Sequence, residues 1–270
     1  RTFPLADGTK LHFDEIALLR AAVKYGNAAG HTAGMYRRLC STLTRPFELE
    51  VSVDETDAPT SPVEHYFFAA ELKRLGVQWA AMAPRLPGRF EKGVDYIGDL
   101  EALRAAVRGH VAVARALGPY KLSIHSGSDK FRIYPALMEL TEGLVHLKTA
   151  GTSYLEALRA VAGCEPALFR EVLDFARERY GDDRASYHVS AEAAKVPPAK
   201  DVRDGDLPGL LDDFHVRQVL HVTYGSVLTA DGGERFRRRI LTQLRRAEEA
   251  HYAAVAAHLR RHLEPFARHG

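Results

Sequence analysis

Residues 118–154 read GPYKLSIHSGSDKFRIYPALMELTEGLVHLKTAGTSY, and their pattern decides the fold class. Two strand-like runs lie here, Tyr120–Ser126 and Gly143–Thr149. Side chains alternate along a strand, so Lys121, Ser123 and His125 share one face of the first run. His146 and Lys148 share the corresponding face of the second. Leu122, Ile124, Val145 and Leu147 point the other way, where a helix can cover them. A sheet with an apolar outer face and polar residues near its carboxyl end is the ligand-binding end of a β/α barrel. The alternative is a half-exposed antiparallel sheet. Helical stretches rather than hairpin turns separate the runs, and this favours the parallel reading.

The same alternation continues outward. Phe47–Val53 sets Leu49, Val51 and Val53 against Glu48, Glu50 and Ser52 and reads as a strand ending in Asp54-Glu55-Thr56-Asp57. Val77–Met82, Ser186–Ser190 and Gln218–Tyr224 complete a set of six strands. The helices expected between and around them include one capped by Asp14 that ends near Gly26, and another over about Thr32–Leu43. Further helices start at Pro62, run from Asp99 to Gly118, and run from Ser153 to Tyr180 with a break near Gly163–Pro166. Residues 194–209 read as a loop, and residues 234–266 as Arg-rich helix. Alternating strands and helices imply a parallel sheet. The expected fold is a (β/α)8 TIM-type barrel with irregular or missing N-terminal strands. It would form one domain over 1–270, with an N-terminal helical part at 1–45, barrel elements at 46–232 and C-terminal helices at 233–270. The first residue is Arg rather than Met, so strands preceding this segment are part of that expectation. A doubly wound open sheet competes, but the chain shows no GxGxxG turn.

Of the 270 residues, 46% are hydrophobic and 27% charged, as in ordinary globular proteins. The 37 Lys and Arg against 35 Asp and Glu leave a formal charge of +2, too balanced to suggest nucleic acid or an anionic membrane as partner. No apolar run approaches a membrane span and no signal peptide opens the chain. Cys40 and Cys164 form no metal or redox spacing, which suits a reducing cytoplasm. With 13 His and little sulfur, a transition-metal site would be built from imidazole and carboxylate. A homo-oligomer is neither indicated nor opposed.

Ionisable residues close every expected strand except the second: Asp54 and Glu55, His125, His146 and Lys148, His188, and His221. In a parallel barrel these ends meet on one rim. Glu55, His188 and His221 have the composition of a facial site for a divalent cation, with Zn, Mn, Fe, Co and Ni all acceptable. Asp54 beside them would serve as a base. Ser126, Ser128, Asp129 and Lys130 form a small polar loop able to hold an anion. Lys148 is a second cation for substrate oxygen, or a Schiff-base former, and Arg85 and Arg89 add positive charge. The set suits a polyhydroxylated, negatively charged small molecule. His65 reads as a structural residue within a helix. His258 and His262, four apart in the Arg-rich helix, read as solvated.

The segments EVSVDETDAPTSPVEHYF (50–67), APRLPGRFEKGVDYIGDLEALR (83–104), GPYKLSIHSGSDKFRIYP (118–135), GLVHLKTAGTSYLEALR (143–159) and DDRASYHVSAE (182–192) resemble the tagaturonate (fructuronate) epimerase family, with a looser match at HVTYG (221–225). The resemblance implies a barrel, a divalent metal and interconversion of D-tagaturonate and D-fructuronate. By position it also implies Asp54 as proton acceptor, His146 as proton donor, and Glu55, His188 and His221 as metal ligands. A metal-dependent aldolase and an inactive sugar-acid-binding barrel remain as rival readings.

Overall fold

The computed structural model of the chain describes residues 2–5, 8, 10–149 and 152–267. Its centre is a four-stranded parallel sheet in sequential order: β3 (Glu50–Val53), β4 (Ala81–Pro84), β5 (Lys121–Ile124) and β6 (Val145–Leu147). Before it, a short antiparallel hairpin, β1 (Thr2–Pro4) and β2 (Lys10–His12), leads into α1 (Glu15–Thr42). Of the turn expected at Asp7-Gly8, Asp7 lies outside the described residues; Gly8 has φ +84°.

Asp14 caps α1 by accepting from the Ala17 N–H at 2.6 Å. Where two helices were expected, one runs unbroken for 28 residues. Gly26, Gly30 and Gly34 each weaken it by about 1 kcal/mol relative to Ala but do not end it. Ala21, Tyr25, Ala29 and Ala33, spaced four apart, are buried on one face and hold it in place.

Crossover helices α2 (Pro62–Arg74), α3 (Leu100–Leu117) and α4 (Tyr134–Thr141) join the strands. α2 opens with a capping box between Ser61 and Glu64 and has Pro62 in its first turn. Asp99 caps α3, and Gly118 follows its last residue. The outward residues Val51, Met82, Leu122, Ile124 and Val145 are buried against these helices, among Tyr25, Phe68 and Leu72 at one end and Leu103, Val107 and Met138 at the other.

The inward face carries Glu50, Ser52, Ala81, Ala83, Lys121, Ser123 and His146, with Glu50 beside Ala81, Ala81 beside Lys121, and Ser123 beside His146. Glu50 on β3 nevertheless pairs directly with His146 and, at 2.5 Å, with Lys148 beyond the end of β6. In a flat sheet three strand spacings would hold β3 and β6 roughly 14 Å apart, too far for these side chains to meet. The sheet therefore curves toward its polar face, and the small side chains of Ala81, Ala83 and Ser123 leave room for long ones to close over them.

The rest of the chain is helical: α5 (Ser153–Cys164), α6 (Pro166–Asp183), α7 (Phe214–Val222), α8 (Tyr224–Thr229), α9 (Arg237–Arg246) and α10 (Glu248–Ala267). The break between α5 and α6 falls at Glu165-Pro166, as the proline requires. Between α6 and α7, short 3-10 turns occupy most of the stretch expected to be loop.

Two expected strands are corrected. Residues 214–222 form helix, because Asp213 caps it through the His215 and Val216 N–H groups and Val216, Val219 and Leu220 make a buried stripe of helical spacing. Residues 187–192 join no sheet, although Tyr187 and Glu192 have extended backbone. From Val189 to Ala191 the backbone hydrogen bonds run to side chains instead. The fold is thus mixed α/β, with four parallel strands among the described residues.

Candidate active site

A cavity of about 580 Å³ opens where β3, β4 and β5 end. Asp54 and Glu55 follow β3, Arg85 and Leu86 follow β4, and His125 and Ser126 follow β5; Glu91 and His188 close the wall. Ligand sites in parallel α/β folds form at this carboxyl end.

Asp54 is the best-held group. Its carboxylate accepts from Ser52 Oγ at 2.5 Å and from His125 Nδ1 at 3.0 Å. Burial pushes its pKa up, but the hydrogen bonds from His125 and Ser52 outweigh burial and hold it below the usual aspartate value. It is ionised at neutral pH and can act as a base. Glu50 behaves alike: burial raises its pKa, and the bonds from Lys148 and His146 more than offset this. Asp54 and His125 thus line the cavity, while Glu50, His146 and Lys148 form a second linked group on the concave face, outside the cavity lining.

Arg85 is set by a two-point clamp. The Thr60 N–H donates to Arg85 O at 2.8 Å, and the Arg85 N–H donates to Thr60 Oγ1 at 3.0 Å.

Of the loop expected to hold an anion, Ser126 lines the cavity and accepts from Lys92 Nζ at 2.8 Å. Ser128, Asp129 and Lys130 lie behind it, buried. The Lys130 ammonium is committed to the carbonyls of Glu91, Val94 and Ser128 at 2.7–3.0 Å, and burial pushes its pKa down to about 8. It ties the 91–94 segment to the loop after β5 and does not reach the cavity.

Glu55 and His188 are exposed on the cavity wall. His188 comes from the extended segment and His221 from the last turn of α7, so neither stands at a strand end. His221 packs beside Gly93, where a β-carbon would sit 3.0 Å from its own Cβ. Its Nδ1 is buried with no hydrogen-bond partner among the described residues, and burial pushes the ring's pKa down to about 4. A neutral imidazole with an unused nitrogen is the form that binds a metal. Glu55, His188 and His221 offer donor types that suit a divalent metal, and two of them share the cavity, but among the described residues their ligand atoms do not gather within 4.8 Å.

Another set is gathered. Asp129, His258 and His262 have ligand atoms within 4.8 Å of one another. This corrects the expectation that both histidines are solvated: they are 5% and 3% exposed, held on α10 against Phe131. The protein already uses most of their polar atoms. His262 Nε2 accepts the Asp129 N–H at 3.1 Å, and its Nδ1 faces His258 O at 3.0 Å. His258 Nε2 lies 2.9 Å from Thr152 Oγ1. The Arg217 guanidinium sits 3.2 Å from Asp129 and 3.3 Å from Glu156. With that cation in place, the cluster suits a packing network better than a metal site; of its polar atoms, Asp129 Oδ2 has no partner among the described residues.

Sequence reasoning missed Glu91. It lies six residues after Arg85 in the same loop, and its carboxylate, buried in the cavity wall, reaches across to Ser190 and Gln218.

The family model for tagaturonate epimerase matches residues 1–266. The tagaturonate/fructuronate epimerase of Thermotoga maritima is 46% identical over 257 residues, covering 95% of this chain and 53% of its own. Crystal structures of a fructuronate-tagaturonate epimerase from Cohnella laeviribosi, native and complexed with two glycerols, align with TM-score 0.94 at 39% and 38% identity. They cover 98% of this chain and 54% of theirs, so the chain spans about half the length of the relatives it matches. By these matches the chain belongs to the tagaturonate epimerase family.

Proposed function

We propose that this chain carries the catalytic face of an epimerase that interconverts D-tagaturonate and D-fructuronate. What supports this reading is that Asp54, held by His125, lies at the carboxyl end of the same sheet whose inward face carries His146, held by Glu50. The curved sheet, with helices outside and charge inside, is an arc of a (β/α)8 barrel, and residues 1–270 belong to that one domain.

The two keto acids differ at a carbon β to the ketone, whose proton the carbonyl does not acidify directly. Inversion can proceed by breaking and remaking the adjacent carbon–carbon bond. Asp54, ionised at neutral pH, takes the proton of the β-hydroxyl. The bond then opens to an aldehyde and an enediolate. After the aldehyde turns its other face, the bond re-forms and the new alkoxide takes a proton from His146. Glu50 holds the His146 ring through Nδ1, so Nε2 is the nitrogen that faces substrate. Asp54 and His146 return to their starting forms by exchange with water.

Arg85, with His125 and Ser126 in the same cavity, offers positive charge for the substrate carboxylate, and Lys148, paired with Glu50, is a second cation on the concave face. Glu55, His188 and His221 would hold a divalent metal, Zn, Mn, Fe, Co or Ni, which when bound supplies Lewis-acid stabilisation of charge on substrate oxygens.

The test is turnover of tagaturonate by the purified full-length protein in heavy water. Fructuronate lacking deuterium at the inverted carbon is expected. Deuterium entering that carbon at every turnover would remove the cleavage route, and release of free three-carbon fragments would make the protein an aldolase.

A further inference from the structure

The extended segment 187–192 brings His188 to the cavity without any strand beside it. Backbone groups removed from water need partners, and here side chains supply them. The Ser190 N–H donates to both Glu91 Oε2 and Gln218 Oε1 at 2.9 Å, and Ser190 Oγ donates to Glu91 Oε2 at 2.8 Å. The Ala191 N–H donates to Gln218 Oε1 at 2.7 Å. Gln218 Nε2 donates in turn to Glu91 Oε2 at 3.1 Å and to Lys92 O at 3.2 Å. Gln218 is completely buried and Glu91 nearly so. Arg184 donates to Val189 O and Tyr180 to Ala191 O, which fixes the outer side of the segment.

We infer that Glu91 and Gln218 are positioning residues: together they replace the missing strand ladder and set His188 on the cavity wall. Three pieces of chain far apart in sequence meet at this clamp, the loop after β4, the extended segment and α7. Gln218 stands one helical turn before His221, so the same amide that holds the segment of His188 also fixes α7 against residues 91–93. The clamp thereby sets the spacing between two of the three proposed ligands. In that respect it rests on the metal reading above. Neither residue need touch substrate.

The charge and donor pattern is specific. One carboxylate and one amide face each other, so Gln218→Glu places two buried carboxylates in contact and removes the donor to Lys92 O. The exchanged pair, E91Q/Q218E, restores one of each, and residue 218 still accepts from Ser190 and Ala191.

The full-length protein labelled with ring-13C histidine gives the first measurement, without metal. The His188 resonance, identified by its loss in His188→Ala, is expected to move in Gln218→Glu and to return in the exchanged double variant. A His188 resonance that stays in place in Gln218→Glu overturns the inference. Titration with Co2+ alone, followed by its visible absorption, gives the second. Gln218→Glu is expected to weaken binding by about tenfold or more, the usual scale for partners that orient a metal ligand. In a His188→Ala background the same change should cost less, because only the placement of His221 is left to lose, whereas full additivity of the two losses overturns the clamp. If Gln218→Glu does not fold, Ser190→Ala, which removes one donor, is read by the same two criteria with a smaller expected shift. Wild-type protein that binds no Co2+ would sink the metal assignment, and the ring spectra would still decide the clamp.

Discussion

Two clusters of carboxylate and imidazole in this molecule use the same chemistry to opposite ends. On the concave face, Asp54 pairs with His125 in the wall of an open cavity, and Glu50 pairs with His146, both pairs partly exposed. At α10, Asp129, His258 and His262 gather three ligand atoms within 4.8 Å of one another and are enclosed, with Arg217 supplying the countercharge. Proximity alone would select the second cluster as the site. Solvation reverses that choice, because a functional group must keep some capacity that the protein has not consumed. The open cluster has it and the enclosed one has almost none.

The largest effect that could break this contrast is chemical. Asp54→Asn removes the base with little change in shape. It is expected to lower kcat on tagaturonate by about 10²–10⁴-fold, with denaturation midpoints close to wild type. Near-normal turnover would remove Asp54 from the proposed role. Arg217→Met probes the enclosed cluster and should do the reverse. It strips buried Asp129 of its guanidinium partner and leaves buried Glu156 with Arg159, and is expected to cost about 3–5 kcal/mol of stability in urea denaturation. A variant of wild-type stability would mean that the network is looser than drawn, and would reopen that cluster to a metal.

The contrast also explains what was legible in the sequence. Strands β3, β5 and β6 announce themselves by alternation, with apolar residues on helices and polar residues inward, whereas β4, expected over Val77–Met82, forms at Ala81–Pro84, wholly buried and without a polar side chain. Asp54, His125, His146 and Lys148 follow directly from that period of two. His221 does not: Val216, Val219, Val222 and Thr223 are β-branched and look strand-forming, whereas the Asp213 cap and helical spacing of the apolar positions decide the matter. The segment of His188 is extended, as its residues suggest, but its partners are Glu91 and Gln218, 99 and 28 positions from Ser190. No local pattern encodes such pairings. The enclosed network was hidden for the same reason, since Asp129 and His262 are 133 residues apart. An Arg-rich helix with histidines four apart looks solvated until its packing partner is known.

A third polar cluster gives an intermediate effect, read through pH. His65 and His110 are buried between α2 and α3, with Nδ1 atoms 3.0 Å apart, and Tyr120 OH lies 2.8 Å from His65 Nε2. Burial pushes His110 down to about 4 and, with the adjacent His110, lowers His65 well below its ordinary value. As pH falls, the unfolded chain takes up these protons first. The stability they contribute is complete above about 6.5 and is lost as pH falls from there toward 4. For His110 alone that is about 3 kcal/mol. Urea midpoints measured across this range should fall in wild type and fall less in His110→Gln. The lowered carboxyls of Glu50 and Asp54 act in a lower window, their contribution present above the ordinary values of 4.5 and 3.8 and lost below. A midpoint independent of pH between 6.5 and 4.5 would show the pair to be accessible to water.

The smallest expected effect sharpens the comparison most, because it holds the chemistry constant. Arg239 on α9 binds Glu171 on α6 with two parallel bonds at 2.6 and 2.7 Å, better geometry than Arg217 has with Asp129. Its side chains, however, are 44% and 47% exposed, against 11% and 3% for the enclosed pair. Water already solvates both charges when the partner is removed, and salt screens what attraction remains. Arg239→Ala is therefore expected to cost only about 0.2–1 kcal/mol, and less at 1 M salt, whereas the loss in Arg217→Met should persist there. If the two losses were equal, bond geometry would outweigh solvation, and distance rather than exposure would be what sets the open cluster apart from the enclosed one.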